Sequence, residues 1–508
     1  MRNNYWFSPL SALKESLFHD TDAINPSHIL SLFLLGFSLI YILIPSFGYQ
    51  SILPDSAQNL SWGHTWAWSY NRHPPLGTWL ISFMSMICIN NEVATFCASV
   101  LCLSTSLLFI YLLSKRYLGS HDAFVACVVS SFCLYYQTNF VLQFNQNTIM
   151  LPFWIMICYF LDRCIHTNRL QDWILLATVT AGAVLAKYES LLIIFLALVY
   201  LLWHFEYRFL FKLLMAMGLT LLLLTPHLIS VAEHGFLTLE FIQGKVSEDP
   251  GNYTQHPHLA YPIKALREQL GHIAPAIAIL ILLIKTRRIN PAIRETDKVK
   301  WNYLVYLGIA PLCLVILLSL IFGLKIQPEW GFPLFSFTVP ALMSYFQLKS
   351  RTALLKPLLF MALLIHSGGL GIYMAANYFS LKYARTNNPS YMLAQEAQSY
   401  WNQFTNKPLN YVAGDENYDY YLAAYLPNRP KLLEAYSFRL SPWLDQRELK
   451  KQGFMMVIEG CSPTRNTQLK ERYLAQDFKC VEVPFSNKYR QQYKTLTLMI
   501  VPPARSKV

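Results

Sequence analysis

HILSLFLLGFSLIYILIPSFG, residues 28–48, carries no Asp, Glu, Lys or Arg. Wound as an α-helix at 1.5 Å per residue, a run of this kind reaches about 30 Å, the hydrocarbon thickness of a bilayer. Ten further runs read the same way: 92–114, 121–138, 146–163, 171–187, 189–205, 208–229, 262–284, 301–323, 330–348 and 354–378. The stretch LGTWLISFMSMICIN (76–90) is apolar but short, and reads as an interfacial or re-entrant helix. Over the whole chain of 508 residues, 54% are hydrophobic and 14% charged, against roughly 25% charged in soluble proteins. Mean hydropathy is +0.30. So little charge cannot cover 508 residues with a water-soluble surface. The composition excludes a soluble enzyme, a disordered chain and a disulfide scaffold. It predicts a polytopic α-helical membrane protein of about eleven transmembrane helices.

Lys and Arg orient it. With the N-terminus in the cytoplasm, one side holds Arg2, Lys14, Lys115, Arg116, Arg163, Arg169, Arg208 and Lys212. The same side holds six more between Lys285 and Lys300, then Lys349, Arg351 and Lys356. The opposite membrane loops hold only Arg72, Lys187, Lys245, Lys264, Arg267 and Lys325. This bias satisfies the positive-inside rule, and a full crossing by 76–90 would reverse it. The expected order is a cytoplasmic N-terminal segment (1–27), a membrane domain (28–380) with its first outer loop at 49–91, and an outer tail (385–508). The net charge of +12 is then orientation signal and tail surface, with no basic stripe for nucleic acid.

The tail alternates helical spacing (390–404 and 416–427) with short strand-like runs at 409–414, 454–460, 479–485 and 494–502, which predicts a small α/β domain. Of ten cysteines, only Cys461 and Cys480 lie in the tail; on an oxidising side they either pair or stay free. The other eight read as packing residues.

Charged and polar side chains near the outer boundary need a reason, because a charge at bilayer depth costs about 2.5–3.5 kcal/mol on insertion scales. The loop SILPDSAQNLSWGHTWAWSYNRHPPLGTWL (51–80) has one carboxylate, Asp55, four tryptophans, and Arg72-His73 before two prolines. An aromatic interface belt accounts for the tryptophans; it leaves the acid beside Arg-His-Pro-Pro unexplained. Lys187, Tyr188 and Glu189 sit between two helices with almost no loop. A snorkelling ion pair and a cation facing a phosphate both fit there. Glu329 begins a helix, where the macrodipole alone favours an acid. Asn145, Asn147 and His227 complete the set, each ordinary alone. All fall on one membrane face, and their convergence predicts an outward polar cavity.

Such a cavity suits a lipid-linked phosphate sliding in laterally, its head group meeting Arg72, His73 and Lys187. A carboxylate of ordinary pKa, about 3.9, is ionised near neutral pH and competent to take a proton from an incoming hydroxyl. Cations fixed at the leaving phosphate stabilise the charge that develops as the sugar bond breaks. No nucleotide-binding signature occurs in the chain, as expected for a lipid-linked donor.

The first-loop acid followed by HPPLGTWL (73–80) resembles the first-loop pattern of GT-C membrane glycosyltransferases. Within that class it is similar to the branch of protein O-mannosyltransferases and lipid A aminoarabinose transferases. FNQNTIMLPFW (144–154), AVLAKYESLL (183–192), TPHLISVAEHGFLTLEF (225–241) and QPEWGFPLFSF (327–337) look like further blocks in the same order, so the resemblance covers about 30–380. It implies Asp55 as catalytic base, a polyprenyl-phosphate-linked sugar donor and inversion at the anomeric centre. Many members need no metal, and with no His/Asp cluster at ligand spacing in this sequence no metal or other cofactor is expected. His73 stands where aminoarabinose transferases carry Lys, and Ser56 follows Asp55 where protein mannosyltransferases carry an Asp-Glu pair. The acceptor expected is an envelope lipid such as lipopolysaccharide, another glycan or a protein, at the periplasmic face of a bacterial inner membrane. The rival class is a transporter or lipid flippase; those often show inverted repeats, and none is evident in this sequence.

Overall fold

The computed structural model describes residues 26–49, 51–247, 256–286, 289–290, 298–345, 347–348, 351–379, 388–487 and 490–504. Most of the expected N-terminal segment and the linker around 380–387 lie outside the described residues. Helices α1 (Pro26–Ser46), α2 (Pro54–Trp62), α3 (Leu76–Ile87), α4 (Asn91–Leu118) and α5 (Ser120–Ser130) open the chain. The short α6 (Thr138–Leu142), then α7 (Gln146–Thr167), α8 (Leu170–Ala186), α9 (Leu191–Trp203), α10 (Leu210–Glu233) and α11 (Leu237–Ser247) follow. The membrane part ends with α12 (Pro257–Lys285), α13 (Lys298–Phe322), α14 (Thr338–Met343) and α15 (Arg351–Phe379). Among the described residues, seven helices are long and apolar enough to cross a bilayer, with shorter apolar helices at 76–87, 120–130, 170–186 and 188–203.

Nine of the eleven expected runs are continuous helices. Two are not. The run 121–138 ends as a helix at Ser130 and continues as a 3-10 turn at Leu134–Tyr136, and 330–348 keeps only the six residues of α14 as α-helix. Gly331, Pro333 and Pro340 explain the second break, since proline lacks an N–H and crowds the preceding turn. Such irregular backbone at membrane depth is tolerated when buried in protein; Phe132, Tyr135, Phe332 and Phe335 are buried here. Helix α3 is 12 residues long, about 18 Å, too short to cross. It buries Gly77, Thr78, Ile81 and Ser82 and exposes Phe83, Met86 and Ile87.

Helix α4 packs against α1, α5 and α7 at the centre of the bundle. At one end, Asp162 and Asp172 are each 1% exposed and paired with Arg116 and Arg163. These buried carboxylates are matched by basic residues of the set that the positive-inside rule assigns to the cytoplasmic side. Asn145 and Asn147, at the far end of α7, stand about 25 Å away along the helix.

The C-terminal part adds α16 (Ser390–Phe404), β1 (Tyr411–Gly414), α17 (Tyr418–Tyr425), β2 (Lys431–Leu433), α18 (Gln446–Gln452), β3 (Phe454–Glu459), α19 (Pro463–Tyr473), β4 (Asp477–Asn487) and β5 (Arg490–Val501). The strands form one mixed sheet in the order β2-β1-β3-β5-β4. β1 runs parallel to β2 and β3, and β5 runs antiparallel to β3 and β4. Cys461 and Cys480 form a disulfide across this sheet. The short strand β2, absent from the sequence reading, is the edge that touches the first outer loop.

Candidate active site

Asp55 sits in the first turn of α2, behind Pro54, where the helix dipole favours a carboxylate. Two amides hold its Oδ2: Gln143 Nε2 donates at 2.7 Å and Asn145 Nδ2 at 3.2 Å. Asn145 is the N-cap of α7, its Oδ1 accepting from the backbone N–H groups of Asn147 and Thr148 at 3.0 and 3.3 Å. Capping chemistry therefore places an amide donor on the acid. The Asn147 Oδ1 accepts from Lys187 Nζ at 2.6 Å. Lys187 is the first residue after α8, and its ammonium is also paired with Glu189. That ammonium lies 5.6 Å from the centre of the Trp330 ring. A continuous line of contacts thus runs from Asp55 through Asn145 and Asn147 to Lys187 and Glu189, joining α2, α7 and the α8–α9 junction.

A second line borders it. His227 Nδ1 donates to the carbonyl of Trp68 at 2.7 Å, because a carbonyl only accepts; its Nε2 then accepts from the Tyr188 hydroxyl at 2.8 Å. The two contacts fix one neutral tautomer. His73 lies within electrostatic reach of Lys187 and Arg72; burial, then those two cations, push its imidazole down to about 3. It is a neutral group at pH 7 and not the cation that the first-loop cluster led us to expect. Arg72 is a cation already engaged: it meets Glu416 at 2.7 Å and Glu434 at 3.2 Å, both in the C-terminal domain. Glu329 is exposed, and its neighbour Trp330 approaches Lys187 instead.

The structure thus gathers Asp55, Asn145, Asn147, Lys187 and Glu189 into one group, sets Tyr188, His227 and His73 beside it, and draws Arg72 toward the tail. Sequence reading gave Gln143 no contact with Asp55. It missed the rest of the frame of α2 altogether. Ser56 Oγ donates to the Phe144 carbonyl at 3.0 Å, and Asn59 Oδ1 accepts from Gln146 at 2.8 Å and Thr78 at 3.0 Å. At Gly63, where α2 ends, a Cβ would fall 1.6 Å from Ser82 Oγ, so the approach of α3 requires glycine. Among the described residues, no group of three His, Cys, Asp or Glu side chains is placed to hold a metal ion.

Residues 72–229 match the model of the dolichyl-phosphate-mannose-protein mannosyltransferase family. That segment includes every candidate residue except Asp55 and Glu329. No curated protein sequence matches the chain. In shape it is similar to ArnT from Cupriavidus metallidurans bound to undecaprenyl phosphate, with TM-score 0.60, 12% identity, and 93% of this chain and 97% of that one covered. The same enzyme in its apo state gives TM-score 0.59, 11% identity and coverages of 93% and 98%. The Archaeoglobus fulgidus oligosaccharyltransferase is more distant, at TM-score 0.42 and 11% identity over 92% of this chain and 72% of that one. Almost the whole chain therefore has the fold of ArnT, and residues 72–229 within it match the mannosyltransferase family model.

Proposed function

We propose that the protein is an inverting glycosyltransferase that moves a sugar from a polyprenyl-phosphate donor to an envelope acceptor, a lipid, glycan or protein. The reaction would take place at the periplasmic face of a bacterial inner membrane. The observation that carries this reading is the line from Asp55 to Lys187: an amide-anchored carboxylate and a cation on one connected frame. In the reaction the acceptor oxygen attacks the anomeric carbon, and its proton passes to Asp55. The bond from that carbon to the phosphate oxygen breaks, and the lipid phosphate leaves with the electron pair. Lys187 stabilises the charge gained by the leaving phosphate more than that of the bound donor. Gln143 and Asn145 hold the plane of the Asp55 carboxylate, which the base needs in order to meet the hydroxyl in line. ArnT, whose fold the chain shares, has been crystallised with undecaprenyl phosphate, which supports a donor of that class.

The test is Asp55→Asn in purified, membrane-reconstituted protein supplied with polyprenyl-phosphate sugars. Release of lipid phosphate should fall by about 10²-fold or more, the usual worth of a general base, with the thermal midpoint unchanged. Full turnover in that variant would remove Asp55 from the chemistry. Transport of the lipid-linked sugar without phosphate release would favour the flippase reading instead.

A further inference from the structure

The helix that carries Asp55 is clamped from two sides. On one side stand Phe144, Gln146 and the amides of Gln143 and Asn145. On the other stands the C-terminal domain. Asp55, Gln58 and Trp62 fall at i, i+3 and i+7, one stripe of α2. Gln58 Nε2 donates to the Tyr420 hydroxyl at 2.8 Å, and Tyr420 donates onward to Glu434 Oε1 at 2.6 Å. Trp62 Nε1 and Asn71 Nδ2 each donate to Glu434 Oε2 at 3.0 Å, and Arg72 reaches Oε1 at 3.2 Å. Glu434 is 0% exposed.

Each oxygen of Glu434 therefore receives two donors, three of the four from the first outer loop. Burial pushes the Glu434 carboxyl above the usual carboxylate range, while Arg72 and the hydrogen bonds from Tyr420, Trp62 and Asn71 work the other way and favour the anion. A buried charge of this kind is a poor route to stability, because apolar groups of similar volume often do as well or better; what it fixes is one geometry. The backbone agrees. Ala435 and Tyr436, directly after it, hold φ of 47° and 58°, two consecutive non-glycine residues in the left-handed region. Such strain persists only where the surroundings over-determine it.

We propose that Glu434 is a positioning residue for the transfer reaction. It locks both ends of the segment 62–72 to the C-terminal domain and thereby sets the placement of the Asp55 helix. The C-terminal domain is on this view part of the frame of the active site and not a detachable docking module. The proposal rests on the reading of Asp55 as base.

The experiment uses the full-length protein in lipid nanodiscs, with Glu434→Gln and Tyr420→Phe compared with wild type. Glutamine keeps the shape but sets an amide donor either against Trp62 and Asn71 or against Tyr420 and Arg72, and phenylalanine removes only the bridging hydroxyl. We expect kcat to fall by about tenfold or more in E434Q and severalfold in Y420F, as for a base displaced by a fraction of an ångström, with the donor KM held within about threefold. Amide exchange across residues 54–62 should quicken by about tenfold in E434Q, while β1 and β3 keep their protection. A residue that merely stabilised the C-terminal domain would loosen β1 and β3 and leave 54–62 alone. Unchanged exchange at 54–62, or a kcat within twofold of wild type in both variants with the sheet protected, overturns the proposal. If E434Q unfolds the sheet, Y420F decides on the same two readouts. Turnover in D55N would defeat the reaction reading, and the exchange data would still judge the coupling of the two parts.

Discussion

At His73, burial acts together with Lys187 and Arg72 to hold the imidazole neutral down to about pH 3. His64 shows the same response, pushed down to about 4 chiefly by burial, against the hydrogen bond of its Nδ1 with the Pro430 carbonyl at 2.9 Å. Both values lie below the unfolded value of about 6.5, so between the two the unfolded chain binds protons that the folded chain refuses. Stability is then full above about pH 6.5 and falls as the pH drops through the window toward 3. Each histidine contributes a slope of about 1.4 kcal/mol per pH unit there. For His73→Gln, the loss of stability between pH 7 and pH 5 should be smaller than in wild type by about 2 kcal/mol. Thermal midpoints at the two pH values measure it, and equal losses in both proteins would contradict the burial of a neutral imidazole. Lys187 then remains the cation nearest the acid line, which is why it carries the phosphate contact in the proposed reaction.

Helix α7 shows how an element can impose a site. Its N-cap must be a side chain that accepts from N–H groups, and Asn145 does so while its other arm donates to Asp55. Asn145→Ala loses the cap, at a cost of about 1 kcal/mol of stability, together with one donor on the acid. Asn145→Asp keeps the cap but sets a second anion beside Asp55. We expect its thermal midpoint within a few degrees of wild type. The acid limb of its rate profile should move to higher pH by about one unit or more, because a like charge disfavours the ionised base. A profile identical to wild type would show that Asn145 and Asp55 do not face each other during turnover. The same element marks the limit of what the sequence reveals. The apolar runs are legible because a bilayer demands about twenty residues without charge, and Asn145 and Asn147 stand out against them. The breaks at Ser130 and across Gly331–Pro340 were less visible, because the runs stay apolar while the hydrogen-bonding pattern changes. The contacts of Trp62 with Glu434 and of Gln58 with Tyr420 join residues more than 360 positions apart, and no local periodicity records them.

The disulfide brings orientation and the joining of the two parts to one measurement. Cys461 follows β3 and Cys480 lies in β4, so the bond spans β5 and ties the α19 crossover to the sheet edge with a sequence separation of 19. Closing a loop of that length is worth about 3 kcal/mol in the chain-entropy account. The bond forms where the compartment is oxidising, which the positive-inside bias assigns to the side opposite Lys115, Arg116, Arg163 and Arg169. That side is also where Asp55, Asn145 and Lys187 meet, at the opposite end of α7 from the Arg163–Asp172 pair. In spheroplasts, a membrane-impermeant maleimide should therefore leave Cys461 and Cys480 unlabelled, and label both after mild reduction. The double variant Cys461→Ser/Cys480→Ser should lower the thermal midpoint and, through Glu434, quicken amide exchange at 54–62 as well as in the sheet. No labelling even after reduction would put the tail on the reducing side of the membrane and carry the acid line with it, since Trp62, Asn71 and Arg72 cannot reach Glu434 across a bilayer; labelling before reduction would show free thiols on the outer side and overturn the disulfide alone.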